Sequence, residues 1–217
     1  MTDATFTHLA MLLDRSGSMQ SIKAATEQGF DAFVAEQRGQ QGLCTMTLAQ
    51  FDQQYEEVFR DVDIADVPPL RLAPRGSTAL LDAIGRLVHT TGERLAALPE
   101  HARPGNVVVG IMTDGHENSS QEYTHPAIKA LISQQEEAYD WTFLYMGANQ
   151  DAIEVGAQLG VDARRSMTYT AEGTGAALGA TAAMVSRLRV ARAGGASANQ
   201  IREDIGYTEA DRDQAGR

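Results

Sequence analysis

Three oxygen-bearing side chains, Asp14, Ser16 and Ser18, occupy every second position directly after the apolar run of residues 9–13. A buried strand that ends this way carries oxygen donors at its own tip, and oxygen donors are what a hard divalent cation takes. The trio alone has a second account, because Ser-Gly-Ser after a strand is also an ordinary turn leading into a helix cap. A second apolar run, residues 106–113, stops on Asp114 followed by glycine and so repeats the arrangement. Between them, Gly76-Ser77-Thr78 sets a hydroxyl ahead of an amphipathic stretch. Asp14, Ser16, Ser18, Thr78 and Asp114 then supply two carboxylates and three hydroxyls, a set suited to magnesium, which takes six oxygens and keeps some of its waters. Neutral hydroxyls leave such an ion poorly neutralised, and an open position favours a carboxylate arriving from a partner.

Rival chemistries meet specific residues that do not fit. An EF-hand loop starting at Asp14 needs glycine where Met19 stands and glutamate where Ala25 stands. An aspartyl-nucleophile phosphatase needs a second acid two residues after Asp14, and Ser16 is there. Ser16 and Ser18 lack the glycine pattern of a hydrolase elbow. Gly173-Thr174-Gly175 has the wrong onward spacing for a dinucleotide loop and reads as a helix start. Two plainer roles stay open: Ser18 as the cap of a helix beginning at Met19, and Thr78 as the cap of its own helix. Asp82 reads as a first-turn helix acid. His116, Glu117 and Asn118 follow Asp114 on one loop and read as rim residues, as do Arg15, Met19, Arg75, Asn149 and Asp151 on other loops at strand carboxyl ends.

The elements that must hold these residues follow from periodicity. Residues 8–13 form a strand apolar on both faces, and residues 19–37 repeat apolar positions at helical spacing. Residues 43–51 form a second strand; the short link 52–54 pairs it antiparallel with residues 55–62, a more polar strand expected at a sheet edge. Leu80, Ile84, Leu87, Val88 and Leu95 mark a helix, residues 106–113 a fourth strand, and Ile128, Leu131 and Ile132 a helix. Residues 141–146 give a fifth strand, 152–159 a short helix, 167–169 a brief sixth strand, and the alanine-rich residues 171–193 a closing helix. This alternation predicts an α/β, Rossmann-like, doubly wound sheet of about six strands, mostly parallel with one antiparallel edge strand and helices on both faces. Ligands in such sheets bind at strand carboxyl ends where strand order reverses, so Asp14 and Asp114 face one crevice if their strands are neighbours there.

At 217 residues the chain fits one domain plus a tail. We expect the domain to span residues 1–193 and a polar segment, mobile or docked as a short helix, to occupy residues 194–217. Eighteen basic against twenty-nine acidic residues, a net charge of -11, argue against nucleic acid or an anionic membrane as partner. One cysteine, Cys44, leaves no internal disulfide. Residues 1–5 carry no basic leader pattern, and no apolar run reaches the length of a membrane span. These features predict a cytoplasmic protein.

Asp-Arg-Ser-Gly-Ser at 14–18, Gly-Ser-Thr at 76–78 and Thr-Asp-Gly at 113–115, three separated segments in the right order, resemble the metal-ion-dependent adhesion site (MIDAS) of the von Willebrand factor A (VWA) family. The resemblance covers residues 7–169. It implies magnesium, with manganese or calcium as substitutes, at Asp14, Ser16, Ser18, Thr78 and Asp114, and a non-enzymatic module that binds proteins. Without a leader or disulfides the chain is most similar to the stand-alone intracellular bacterial type, whose partners include AAA+ ATPases and stress-response or metal-handling complexes. Two other functions could use the same residues: a metal-assisted phosphoesterase, and a structural subunit whose site holds no metal.

Overall fold

A computed structural model describes residues 2–148 and 150–217; Asn149, expected on the site rim, lies outside them. The strands are β1 (Asp3–Asp14), β2 (Cys44–Phe51), β3 (Tyr55–Asp63), β4 (Pro104–Thr113), β5 (Thr142–Ala148) and β6 (Ser166–Tyr169). The helices are α1 (Lys23–Arg38), α2 (Leu80–Ala97), α3 (His125–Tyr139), α4 (Ala152–Leu159), α5 (Thr174–Ala193), α6 (Ala198–Asp204) and α7 (Glu209–Ala215). One sheet runs in the order β3-β2-β1-β4-β5-β6, parallel throughout except for β3, which pairs antiparallel with β2 at the edge. This is the expected Rossmann-like α/β architecture.

Residues 9–13 of β1 alternate between two cores, which is why this stretch reads apolar without a break. Leu9, Met11 and Leu13 join Phe30 and Phe33 of α1 and Leu178 and Val185 of α5 on one face. Ala10 and Leu12 meet Ile84 and Leu87 of α2, Ile128 and Ile132 of α3, and Leu159 of α4 on the other. Each such large side chain withdrawn from water contributes about 1.5–3 kcal/mol, so the two-sided burial fixes β1 firmly in the middle of the sheet. β1 and β4 are direct neighbours, with Leu13 opposite Met112. Strand order reverses between them, and their carboxyl ends carry Asp14 and Asp114.

The polar segment after Gly194 folds into α6 and α7, each begun by a complete capping box, Ser197 with Gln200 and Thr208 with Asp211. Ile201, Tyr207 and Ala215 are buried in the core shared by α1 and α5, and the Tyr207 hydroxyl lies 2.9 Å from Thr181 Oγ1. α7 also covers the free edge of β6: Arg212 donates to the Ser166 carbonyl at 2.5 Å, and Thr170 N donates to the Ala215 carbonyl at 2.9 Å. Among the described residues, no helix is long and apolar enough to cross a membrane.

Candidate metal centre

Three loops meet at the carboxyl end of the β1–β4 pair. The first leaves β1 at Asp14 and turns at once into a short 3-10 segment, Gly17–Ser21. Asp14 is fully buried; its Oδ1 accepts from Ser16 N at 2.6 Å and its Oδ2 from Thr113 Oγ1 at 2.6 Å. Ser16 and Ser18 hydroxyls stand 3.1 Å apart, and Ser18 Oγ donates to Asp114 Oδ1 at 2.6 Å. Ser18 therefore spans from the first loop to the third.

Thr78 comes from the second loop, and Gly115 shows how close it lies to the others. A Cβ built on Gly115 would stand 3.0 Å from Thr78 Oγ1 and 3.7 Å from both Asp14 Oδ2 and Ser18 Oγ. One point beside the Gly115 backbone, on the third loop, is thus within van der Waals reach of donors from the other two loops, and only the missing side chain keeps it open. The structure brings all five candidate residues together: Asp14, Ser18 and Thr78 around this point, Asp114 through Ser18, and Ser16 beside Ser18.

The plainer roles of the two hydroxyl residues do not hold. The first turn begins at Gly17 with Ser18 inside it, and the residue at its cap position, Ser16, makes no side-chain capping bond. Helix α2 begins at Leu80 with Ala79 at its cap position and likewise no side-chain cap. Neither hydroxyl is spent on capping, and that of Ser18 is turned into the crevice toward Asp114. The rim assignments divide. Met19 is buried in the core, Arg15 is 5 % exposed and paired with Asp52 and Glu56, and Asp151 caps α4 through the amides of Ile153 and Glu154. His116 and Asn118 are exposed on the third loop.

Electrostatics at the two aspartates favour an added cation. Burial pushes the Asp14 carboxyl up to about 6, with hydrogen bonds from Thr113 and Ser16 opposing the rise and the charge of Asp114 adding to it. Burial likewise raises Asp114, against the bond from Ser18. Desolvation and a like-charged neighbour both penalise an anion. Among the described residues, no lysine or arginine pairs with either carboxylate. The surrounding phenols of Tyr145 and Tyr169 are raised by burial and stay neutral, and Tyr169 donates to the Thr113 carbonyl at 3.1 Å. Among the described residues no three His, Cys, Asp or Glu side chains gather as a metal cage, so an ion here must draw on the hydroxyls. An all-oxygen set of two carboxylates and three hydroxyls around an open point fits a hard divalent cation. A roomier cavity of about 530 Å³, lined in part by Val88, Leu95, Val107 and Trp141, lies at the amino end of the sheet and holds none of these donors.

Several residues that hold the site carry no local signal in the sequence. Glu117, read as a rim residue, accepts from the amides of Leu81, Ser119 and Ser120, binding the third loop to the start of α2. Asp82 returns the clamp from α2, accepting from the amides of Gln121, Glu122 and Tyr123. Gly85, one turn on, leaves room for the Tyr123 ring, which a Cβ there would meet at 2.5 Å. Asn118 Oδ1 accepts from Thr78 N at 3.0 Å while Asn118 N donates to the Thr78 carbonyl at 3.0 Å. Thr78 is thereby pinned by its backbone, and among the described residues its hydroxyl makes no hydrogen bond.

No family model and no curated protein matches the sequence. Solved structures do match. Proximal thread matrix protein 1 from the mussel byssus aligns over 85 % of this chain and 46 % of its own, with a TM-score of 0.56 and 16 % identity. A von Willebrand factor type A protein from Catenulispora acidiphila aligns over 82 % and 42 %, with a TM-score of 0.55 and 13 % identity. The von Willebrand factor domain of the pilus tip protein Mfa5 from Porphyromonas gingivalis aligns over 82 % of this chain and 94 % of its own, with a TM-score of 0.54 and 12 % identity. The chain spans less than half the length of the first two. At such identities the likeness speaks for architecture, and the architecture is that of the von Willebrand factor A domain.

Proposed function

We propose that this chain is a divalent-cation-dependent protein-interaction module of the MIDAS type. Asp14, Ser16, Ser18, Thr78 and Asp114 would hold magnesium, with manganese or calcium as substitutes, and the acceptor is a protein partner presenting a carboxylate. The observation that carries this reading is a pair of buried aspartates that no lysine or arginine among the described residues neutralises, Asp14 beside the Ser18 and Thr78 hydroxyls at the space that Gly115 leaves open and Asp114 bonded to Ser18. When bound, the ion supplies the positive centre that an overall acidic chain otherwise lacks there. Asp14 is held by Ser16 N and Thr113 Oγ1, Asp114 is oriented by Ser18, and Thr78 presents a hydroxyl from a backbone clamped by Asn118. Binding rather than turnover is favoured because Ser16 occupies the place of a second acid and both Asp14 oxygens already accept hydrogen bonds. We place the module in the cytoplasm, with an AAA+ ATPase or stress-response complex as the partner class that the resemblance implies.

Calorimetric titration with magnesium, on wild type, Asp14→Ala and Thr78→Ala, tests the site. We expect binding in wild type and its loss or strong weakening in both variants; equal affinity in all three refutes the assignment. Magnesium-dependent turnover of a generic phosphate ester, lost in Asp14→Ala, would overturn the non-enzymatic reading.

A further inference from the structure

We propose that Asp52, which donates nothing to the metal centre, is the positioning residue that sets the distance between the loop carrying Ser16 and Ser18 and the loop carrying Thr78. The inference rests on the metal-site reading above. Asp52 follows β2 directly and is 1 % exposed. Its Oδ2 accepts from Arg15 Nε at 3.2 Å and from Arg75 Nε at 2.7 Å, and its Oδ1 from Gln54 N at 2.6 Å. Its backbone carbonyl accepts from Ala79 N at 3.0 Å. One residue thus grips the neighbour of Ser16 on one loop and both flanks of Thr78, at Arg75 and Ala79, on the other.

The two gripped loops are also joined directly. Arg75 N donates to the Arg15 carbonyl at 2.7 Å and Gly17 N to the Gly76 carbonyl at 3.2 Å, while Arg15 N donates to the Phe51 carbonyl at 2.7 Å. These bonds need the two loops at one particular spacing, and the carboxylate between the two guanidinium groups supplies the attraction that holds it. The need is greatest at Thr78. Asp14 ends β1 and Asp114 directly follows its neighbour β4, whereas residues 67–79 form no helix or strand and contain Pro68, Pro69 and Pro74. A charge-assisted bond from a buried carboxylate is stronger than a neutral one, and a donor misplaced by even a fraction of an ångström serves a small cation poorly because magnesium demands near-ideal geometry.

The test compares Asp52→Asn, which keeps the size and the backbone bonds, with Arg75→Gln, which removes only the half-exposed arm of the clamp. Affinity for magnesium alone is measured by calorimetry for wild type, each variant, Thr78→Ala and Asp52→Asn/Thr78→Ala. We expect Asp52→Asn to weaken binding about tenfold or more, Arg75→Gln to weaken it less, and the double variant to bind no more weakly than Thr78→Ala, because Asp52 acts through Thr78. Wild-type affinity in Asp52→Asn, or the same fold-loss with and without Thr78, overturns the proposal while leaving the metal site intact. Amide exchange in chelator supplies a metal-independent arm, with protection at Gly17, Arg75 and Ala79 expected to fall together in Asp52→Asn and protection in the middle of β1 to stay. Unchanged exchange at those three amides also overturns it, whereas absence of magnesium binding to wild type overturns the metal reading instead.

Discussion

Replacing Gly115 with alanine should separate the metal centre from the fold. Gly115 does not adopt the positive φ that makes alanine costly; the positive-φ glycines are Gly42, Gly76, Gly160 and Gly195. The added methyl therefore meets no backbone strain, and by restricting the unfolded chain it can even add about 0.4–1 kcal/mol of stability. Its contacts decide the outcome. At 3.0 Å from Thr78 Oγ1 and 3.7 Å from Asp14 Oδ2 and Ser18 Oγ, it occupies the space where oxygens must close to about 2.1 Å around magnesium. In wild type, magnesium at a hundred times its dissociation constant adds about 2.7 kcal/mol by mass action. For a domain of this size that raises Tm by roughly 5–10 °C. We expect Gly115→Ala to melt within a few degrees of wild type in chelator and to gain nothing on adding magnesium, which differential scanning fluorimetry reads directly. A Gly115→Ala protein with the wild-type magnesium shift would refute the placement of the ion among these donors.

Two further outcomes follow from burial and packing. Because Asp14 is pushed up to about 6 and Asp114 is also raised, the folded metal-free protein holds protons that the unfolded chain has released, so stability is greatest below about pH 4 for these groups and falls as pH rises toward 6. For fully buried Asp14 this amounts to about 3 kcal/mol. Buried His8, lowered to about 4 by desolvation, has the opposite pH dependence, so the test compares wild type with Asp14→Asn in chelator: raising the pH from 5 to 7 should lower the wild-type Tm relative to that of the variant, with magnesium cancelling the difference, and an identical pH response in the two refutes it. Tyr207→Ala should cost about 3–4 kcal/mol, since a buried ring and its bond to Thr181 are lost, and limited proteolysis should then cut within residues 194–217 faster than in wild type, unchanged cleavage being the contrary result.

The sequence disclosed the sheet because burial on both faces writes long apolar runs, and residues 9–13 and 106–113 are such runs. It disclosed the donors because a carboxylate and two hydroxyls at alternate positions, repeated in part at Asp114, are an unusual way to leave a strand. The start of α1 was less legible: Gly17–Ser21 turns as a 3-10 segment before the α-helix begins at Lys23, a distinction that apolar spacing does not resolve. The two terminal helices bury only a few large side chains, Ile201 and Tyr207 chief among them, so their composition reads as a solvated tail. Their capping boxes, Ser197 to Gln200 and Thr208 to Asp211, were the readable signal.

What stayed illegible is the scaffold around the donors, and the reason is physical. A ligand must be a particular kind of side chain, so its type advertises its role, whereas a brace needs only some acceptor near some amide or guanidinium. Asp52, Asp82, Glu117 and Asn118 each reach across to another segment, to partners such as Arg75, Tyr123, Leu81 and Thr78 that lie 23 to 41 residues away, and no local spacing encodes such a meeting. The same asymmetry ranks the donors by how they are held. Asp14 and Asp114 inherit their positions from hydrogen-bonded parallel strands that the two cores fix, and Ser16 and Ser18 follow Asp14 within four residues. Thr78 alone reaches the centre on an irregular segment, and it is there that the braces converge: Asn118 on its own backbone, Glu117 on Leu81, and Asp52 on Arg75 and Ala79. The density of polar clamps around one threonine is what a small cation with strict geometry would require of its least rigid donor.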